Sequence, residues 1–134
     1  MKKRTLFLSG SIVTTLLAAA TTITGVVMTN HIMYIKKKDD AFIREREIAA
    51  KRFDEAWYEG CPKEILLIDS PNGYKISGIY LKPLETKNTV IICHGVTENK
   101  INSMRYARMF ERLGFNAFVY DHRRHGESQG KTTS

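Results

Sequence analysis

The sequence has 134 residues, with 21 Lys and Arg against 14 Asp and Glu, a formal net charge of +7 and two cysteines. That length allows one modest domain, and two thiols make no disulfide framework. The excess charge is local: Lys2, Lys3, Arg4, Lys36, Lys37 and Lys38 flank an N-terminal apolar run, while 15 basic and 14 acidic residues follow from Asp39 onward without a basic stripe interleaved with aromatics. This pattern argues against a nucleic-acid partner and places the charge at a membrane boundary.

Leu6 to Ile35 contains no Asp, Glu, Lys or Arg. At about 1.5 Å per helical residue, such a run is long enough to span a bilayer. Lys2-Lys3-Arg4, Leu6–Leu17 and Ala18-Ala19-Ala20 also fit a cleaved signal peptide, but the uncharged run continues to the Lys36–Lys38 stop. Residues 1–38 are therefore expected to form an uncleaved single-pass anchor in the cell membrane. Its orientation stays open, because basic residues stand on both sides. Residues 39–62 are expected to form an amphipathic helical spacer. Asp39 and Asp40 would cap a helix running to about Tyr58, with Phe42, Ala49, Phe53, Ala56 and Trp57 on one face and Asp40–Arg44 and Glu47–Lys51 paired at i,i+4 spacing. That stripe is expected to pack on the following domain, a lipid surface being the alternative.

The period then changes. Glu64–Asp69 and Tyr74–Leu81 read as strands joined by the turn Ser70-Pro71-Asn72-Gly73, which makes a β-hairpin. Thr89–Cys93 ("TVIIC") is an unalternated apolar run of the kind buried on both faces of a parallel sheet, so Cys93 is expected to be a buried free thiol, with Cys61 in a loop. A helix over Asn102–Leu113 with Gly114 at C′, and a strand over Phe115–Tyr120, complete a βαβ unit. Hairpin, strand, helix and strand make an α/β sheet.

In that order, "SPNGYKISGIYLKP", "VIICHGVTENK" and "VYDHRRHGES" resemble the first part of an α/β-hydrolase. They are similar to bacterial membrane-anchored members of the serine aminopeptidase (S33) and lysophospholipase-like group. The resemblance implies that residues 63–134 form a partial α/β-hydrolase domain, comprising the first four strands and the first helix. It implies that the Val96 N–H is an oxyanion-hole donor, that His94 and Gly95 shape its turn, and that Asp121, Arg123 and His125 brace the loop after the fourth strand. Arg124 stands where members of the group often have glycine. No cofactor or metal is implied.

Two motifs overlap near residue 128. Gly126-Glu127-Ser128-Gln129-Gly130 matches the G-x-S-x-G of a nucleophile elbow, but an elbow serine follows its strand directly, and seven residues separate Ser128 from Tyr120. "HGESQGKT" lacks the first glycine of a phosphate-binding loop. Ser128 is therefore expected to be structural. With no other G-x-S-x-G in the sequence, and no acid and histidine after it, the triad is absent from these residues. The expectation is the N-terminal fragment of a membrane-anchored serine hydrolase, inactive alone and acting on small ester or amide substrates only in a completed fold. The alternative is a membrane-tethered, non-enzymatic binding module. The sequence leaves the oligomeric state open.

Overall fold

The computed structural model describes residues 2–132, which divide into two compact units, one ending at Tyr34 and the other starting at Ile35. The first is a single helix, α1 (Lys2–Met33). Its Ser11–Met33 segment has a mean hydropathy of 1.8 and is long and apolar enough to cross a membrane. The threonines in it hide their polarity locally. Thr15 Oγ donates to Ser11 O at 2.9 Å and Thr22 Oγ to Ala18 O at 2.8 Å, so these hydroxyls need no outside partner.

The second unit contains α2 (Asp40–Ala49), α3 (Glu55–Gly60), β1 (Lys63–Asp69), β2 (Lys75–Leu81), β3 (Thr89–Cys93), α4 (Lys100–Glu111) and β4 (Asn116–Tyr120). The strands form one sheet in the order β1-β2-β4-β3, with β1–β2 and β2–β4 antiparallel and β3–β4 parallel. The hairpin and the βαβ unit are thus those the sequence predicts. In the turn, Gly73 N donates to Ser70 O at 3.1 Å and Ser70 N to Tyr74 O at 2.9 Å.

The end of α4 follows from one residue. Phe115 N–H reaches Phe110 O at 3.1 Å and Gly114 N–H reaches Glu111 O at 3.0 Å, the paired bonds of a Schellman motif. Gly114 sits at φ +87°, where a side chain would be strained. The Phe110 and Phe115 rings pack edge to face across the turn, 6.2 Å between centroids.

One face of the sheet carries the core. Ile79, Leu81, Ala117, Val119 and Ile92 pack against Met104 and Ala107 of α4, together with Phe53 and Cys61. On the other face Ile91 is 65% exposed, and among the described residues no helix covers it or Phe118. The expectation of burial on both faces of Thr89–Cys93 is therefore corrected: Cys93 is exposed, and the buried thiol is Cys61. Alternation along β3 points Val90 and Ile92 toward α4, and Ile91 and Cys93 away from it.

The single helix expected over residues 39–58 is also corrected, since it is two helices. Asp39 caps α2 as anticipated, accepting from Phe42 N at 3.3 Å. The helix stops where Lys51 turns left-handed at φ +54°, and Arg52 N and Phe53 N both donate to Glu47 O, at 2.8 and 3.1 Å. Asp54 then caps α3 through Trp57 N at 3.0 Å. The break rotates the inward face. Ile43, Glu47 and Phe53 are buried, whereas Phe42, Ala49 and Ala56 are exposed. The expected ion pairs change with it, because Glu47 bonds Arg46 and Arg52 and Arg44 bonds Glu55.

Charged side chains fasten this segment to the loop before α4. Glu98 takes Arg46, with Nη1–Oε1 at 3.1 Å, and also Lys38. Asn99 donates to Asp40 at 2.9 Å, and the buried Glu47 accepts from Asn102 at 3.2 Å. The Arg46 guanidinium, helped by Lys38 and opposed by burial, holds the Glu98 carboxyl at about 2, against an ordinary 4.5.

Two outcomes follow. Gly114→Val lowers the stability of the purified chain by about 1–2 kcal/mol, read as a shift in the chemical-unfolding midpoint, whereas Met109→Ala at an exposed position changes it by less than about 0.5 kcal/mol. The second outcome concerns acid. A carboxyl depressed in the folded state stabilises the fold above its unfolded value near 4.5, and that stability is lost as pH falls from there toward 2. Glu98→Gln is expected to flatten the stability profile in this window.

Candidate functional site

The C-terminal ends of β3 and β4 bring together two loops, residues 94–99 and 121–130. In the first, Glu98 N–H donates to Gly95 O at 3.2 Å, closing a turn whose third residue, Thr97, lies at φ +65°. A positive φ at that position is the requirement of a type II turn, and for a β-branched residue it costs about 1–3 kcal/mol. Lys38 N–H ties the same turn down through Thr97 O at 3.4 Å. Val96, second in the turn, is 70% exposed, and among the described residues its N–H has no acceptor.

His94 is buried and uses both ring nitrogens. His122 N–H donates to Nε2 at 3.0 Å, so Nε2 carries no proton, and Nδ1–H donates to Gly95 O at 2.7 Å. Burial pushes its pKa down, the neighbouring His122 and His125 acting in the same sense, so the ring is neutral at pH 7. A neutral imidazole engaged at both nitrogens braces the turn and has no free nitrogen with which to move a proton.

The second loop is organised by Asp121, which is fully buried at the end of β4. Its Oδ1 accepts from Lys100 N at 2.7 Å, and its Oδ2 from Lys100 Nζ at 2.6 Å and Glu127 N at 3.0 Å. Lys100 Nζ also reaches Glu127 Oε2 at 2.8 Å and Ser77 Oγ at 3.3 Å. Burial alone would lower the Lys100 pKa, but Asp121 and Glu127 outweigh it and hold the ammonium above its ordinary value. The loop passes so close to the carboxylate that a Cβ at Gly126, itself at φ +47°, would lie 2.2 Å from Asp121 Oδ2. Glycine is therefore required there by both space and backbone conformation.

Ser128 has no free hydroxyl. Its Oγ donates to Asp121 O at 2.7 Å and accepts from Ser77 N at 2.8 Å, and the residue is 7% exposed. Gln129 continues the stitching, donating to Lys75 O at 2.9 Å. Residues 121–132 form turns and bends, and Ser128 sits within them rather than directly at the end of β4, so an elbow geometry is not present in them.

The other residues singled out by sequence divide. His125 is buried with Nδ1 at 3.1 Å from Arg123 O. Arg123 contributes that carbonyl, while its guanidinium lies over the Tyr74 ring at 5.5 Å. Arg124 adopts φ +62°, the conformation glycine would take, and donates its N–H to Gln129 O at 3.0 Å. Among the described residues no three His, Cys, Asp or Glu side chains are placed to hold a metal ion. Lys100 is not among the residues that the sequence singles out. It lies two residues before the predicted start of its helix, and nothing local in sequence distinguishes a lysine that will be buried against Asp121, 21 positions later.

Comparison with known proteins agrees with this geometry. A family model described as serine aminopeptidase, S33, matches residues 84–134. The Bacillus subtilis (strain 168) protein YqkD is 43% identical over 132 residues, which is 98% of this chain and 42% of YqkD. The chain thus spans less than half the length of that relative. The solved structure of the Pyrococcus furiosus esterase Pf2001 superposes with a TM-score of 0.50 at 30% identity, over 55% of this chain and 30% of the esterase. With its β1-β2-β4-β3 order, its His-Gly turn after β3 and its Asp-anchored loop after β4, the chain has the N-terminal portion of the α/β-hydrolase fold and is similar to the serine aminopeptidase, S33, family over residues 84–134.

Proposed function

We propose that this chain is the membrane-anchored N-terminal section of a serine hydrolase that cleaves small ester or amide substrates. The observation that carries the reading is the Val96 N–H, which belongs to an exposed residue, has no acceptor among the described residues, and lies in a turn fixed by His94, Glu98 and Lys38. A donor fixed before the reaction stabilises the negative charge that develops on a carbonyl oxygen during attack, without reorganising at that moment. His94 and Gly95 set the turn. Asp121 and Lys100 fix the facing loop, with His125 and the Arg123 carbonyl bracing its middle. None of these groups supplies a nucleophile or a base. Those roles fall to residues in the part of its relatives' length that this chain does not span.

The open sheet face supports the same reading. Ile91 and Phe118 stand as neighbours in the β3–β4 register, and the outer edge of β3 has no strand partner among the described residues. Further strands and helices of the hydrolase fold would cover both. In this reading α1 remains uncleaved and keeps the enzyme at the cell membrane.

The test uses the protein that carries this section together with the segment that completes the fold. Val96→Pro removes the donor N–H, and kcat is expected to fall by about 100- to 1,000-fold with a much smaller change in KM. An unchanged kcat in a folded variant would remove Val96 from the oxyanion hole. The protein is expected to pellet with carbonate-washed membranes and to retain residues 1–20 by intact mass. A mature N-terminus at Thr21 would show a secreted product instead.

A further inference from the structure

The turn between α2 and α3 and the outer side of α4 enclose a groove of about 310 Å³. Five cations line it, Lys51, Arg52, Arg105, Arg108 and Arg112, with Asp54 as the one acid. From Asp39 onward the sequence is almost balanced, 15 basic residues against 14 acidic, so a third of the basic residues converge on this one feature. Arg105, Arg108 and Arg112 reach it together because spacings of three and four place them on one side of α4.

Internal pairing does not use these charges up. Arg108 is taken by Asp54, and Arg52 by Glu47 at 2.8 Å. Lys51, Arg105 and Arg112 have no carboxylate partner among the described residues. Arg105 donates through Nη2 to Tyr106 Oη at 2.8 Å and lies 4.6 Å over that ring, yet its Nε–H, out of contact with water, has no acceptor among the described residues. A guanidinium in that condition suits a ligand with paired acceptor oxygens. Lys51 belongs to the groove although its left-handed backbone is one that glycine or asparagine adopts more cheaply. Trp57, Met104 and Met109 supply the apolar part of the lining, and the Trp57 indole is fixed by Nε1–H donating to Glu111 Oε2 at 2.7 Å.

We propose that this groove binds the phosphate of an anionic phospholipid headgroup. Planar guanidinium groups match phosphate oxygens in pairs, and an indole beside cations is the combination found at headgroup depth in membranes. The choice of a lipid rests on the membrane-anchored reading above. α1 and α2 are consecutive elements, so a domain tethered by α1 would meet headgroups at high effective concentration, and basic side chains near an anionic leaflet each add to retention there.

Trp57 is the one tryptophan of the chain and reports directly on the groove. The full chain, held in neutral maltoside micelles, is titrated with dihexanoyl phosphatidylglycerol while Trp57 fluorescence is followed. A saturable change is expected, weakened by salt, with no change on adding dihexanoyl phosphatidylcholine. Arg105→Gln with Arg112→Gln is expected to weaken binding about 30-fold, at the strength of one basic residue each near an anionic headgroup, with the thermal transition unaltered. Should that variant unfold early, Lys51→Gln with Arg112→Gln, both at exposed positions, carries the same test. Equal responses to the two lipids would mean apolar partition. An equal response to inorganic phosphate would mean a free-anion site, and tighter binding of an oligonucleotide a nucleic-acid surface. Any of these, or no response at all, overturns the proposal. Because the micelle-bound chain need not insert into a bilayer, the result is independent of whether α1 anchors it, which the carbonate-wash experiment decides separately.

Discussion

The buried pair between Lys100 and Asp121 is the constraint on which the rest of the site depends. Both groups are almost removed from water, at 6% and 0% exposure, and each is satisfied by several bonds rather than by the other alone. Taking either charge away would strand its partner in the interior, a change that costs about 3–5 kcal/mol. The pair joins the first residue of α4 to the end of β4, and its hydrogen bonds extend to Ser77 on β2 and to Glu127. Four separate stretches of chain are thereby set in one register. The place where the loop after β4 begins its return is fixed by this carboxylate, and His122, the next residue, then presents its N–H to His94.

From there the constraint passes to the turn after β3. His94 is oriented by His122 on one nitrogen and holds Gly95 O with the other, while Glu98 ties the far side of the turn to Arg46 and Lys38. The segment that follows the apolar helix is therefore part of the site's support. Lys37 Nζ also reaches Gly126 O at 3.1 Å in the facing loop. In the proposed role, a donor at Val96 held from both sides would have little freedom to relax away from a developing charge, which is the condition for electrostatic preorganisation. Ser128, despite its G-x-S-x-G setting, is spent on the same scaffold, bridging the backbone of Asp121 and Ser77.

The features legible in sequence were those specified locally. Ser70-Pro71-Asn72-Gly73 announces the hairpin turn, "TVIIC" and "FNAFVY" announce the parallel strands, and Gly114 announces the end of α4, because backbone conformation and burial at these places depend on neighbouring residues. The failures share a different origin. The break at Lys51 is set by the burial of Phe53 and Glu47 against another part of the domain, a tertiary preference that overrides an unbroken helical pattern. The exposure of Cys93 depends on which face α4 covers. The pairing of Lys100 depends on an aspartate 21 residues away, and no periodicity encodes it. The His-Gly turn and the Asp-x-Arg-x-His-Gly-x-Ser loop were recognisable as motifs, but the hydrogen bonds linking them to each other and to residues 37–47 were not.

If Val96 and its supporting loops serve a nucleophile other than Ser128, as proposed, the reactive serine lies elsewhere, and locating it decides between the two. The protein that carries this section, with the segment that completes the fold, is treated with a fluorophosphonate and digested, and the modified serine is located by mass spectrometry. The expected result is modification of a serine beyond residue 134, following a further strand, with Ser128 unmodified. Modification of Ser128 itself, abolished by Ser128→Ala, would contradict it.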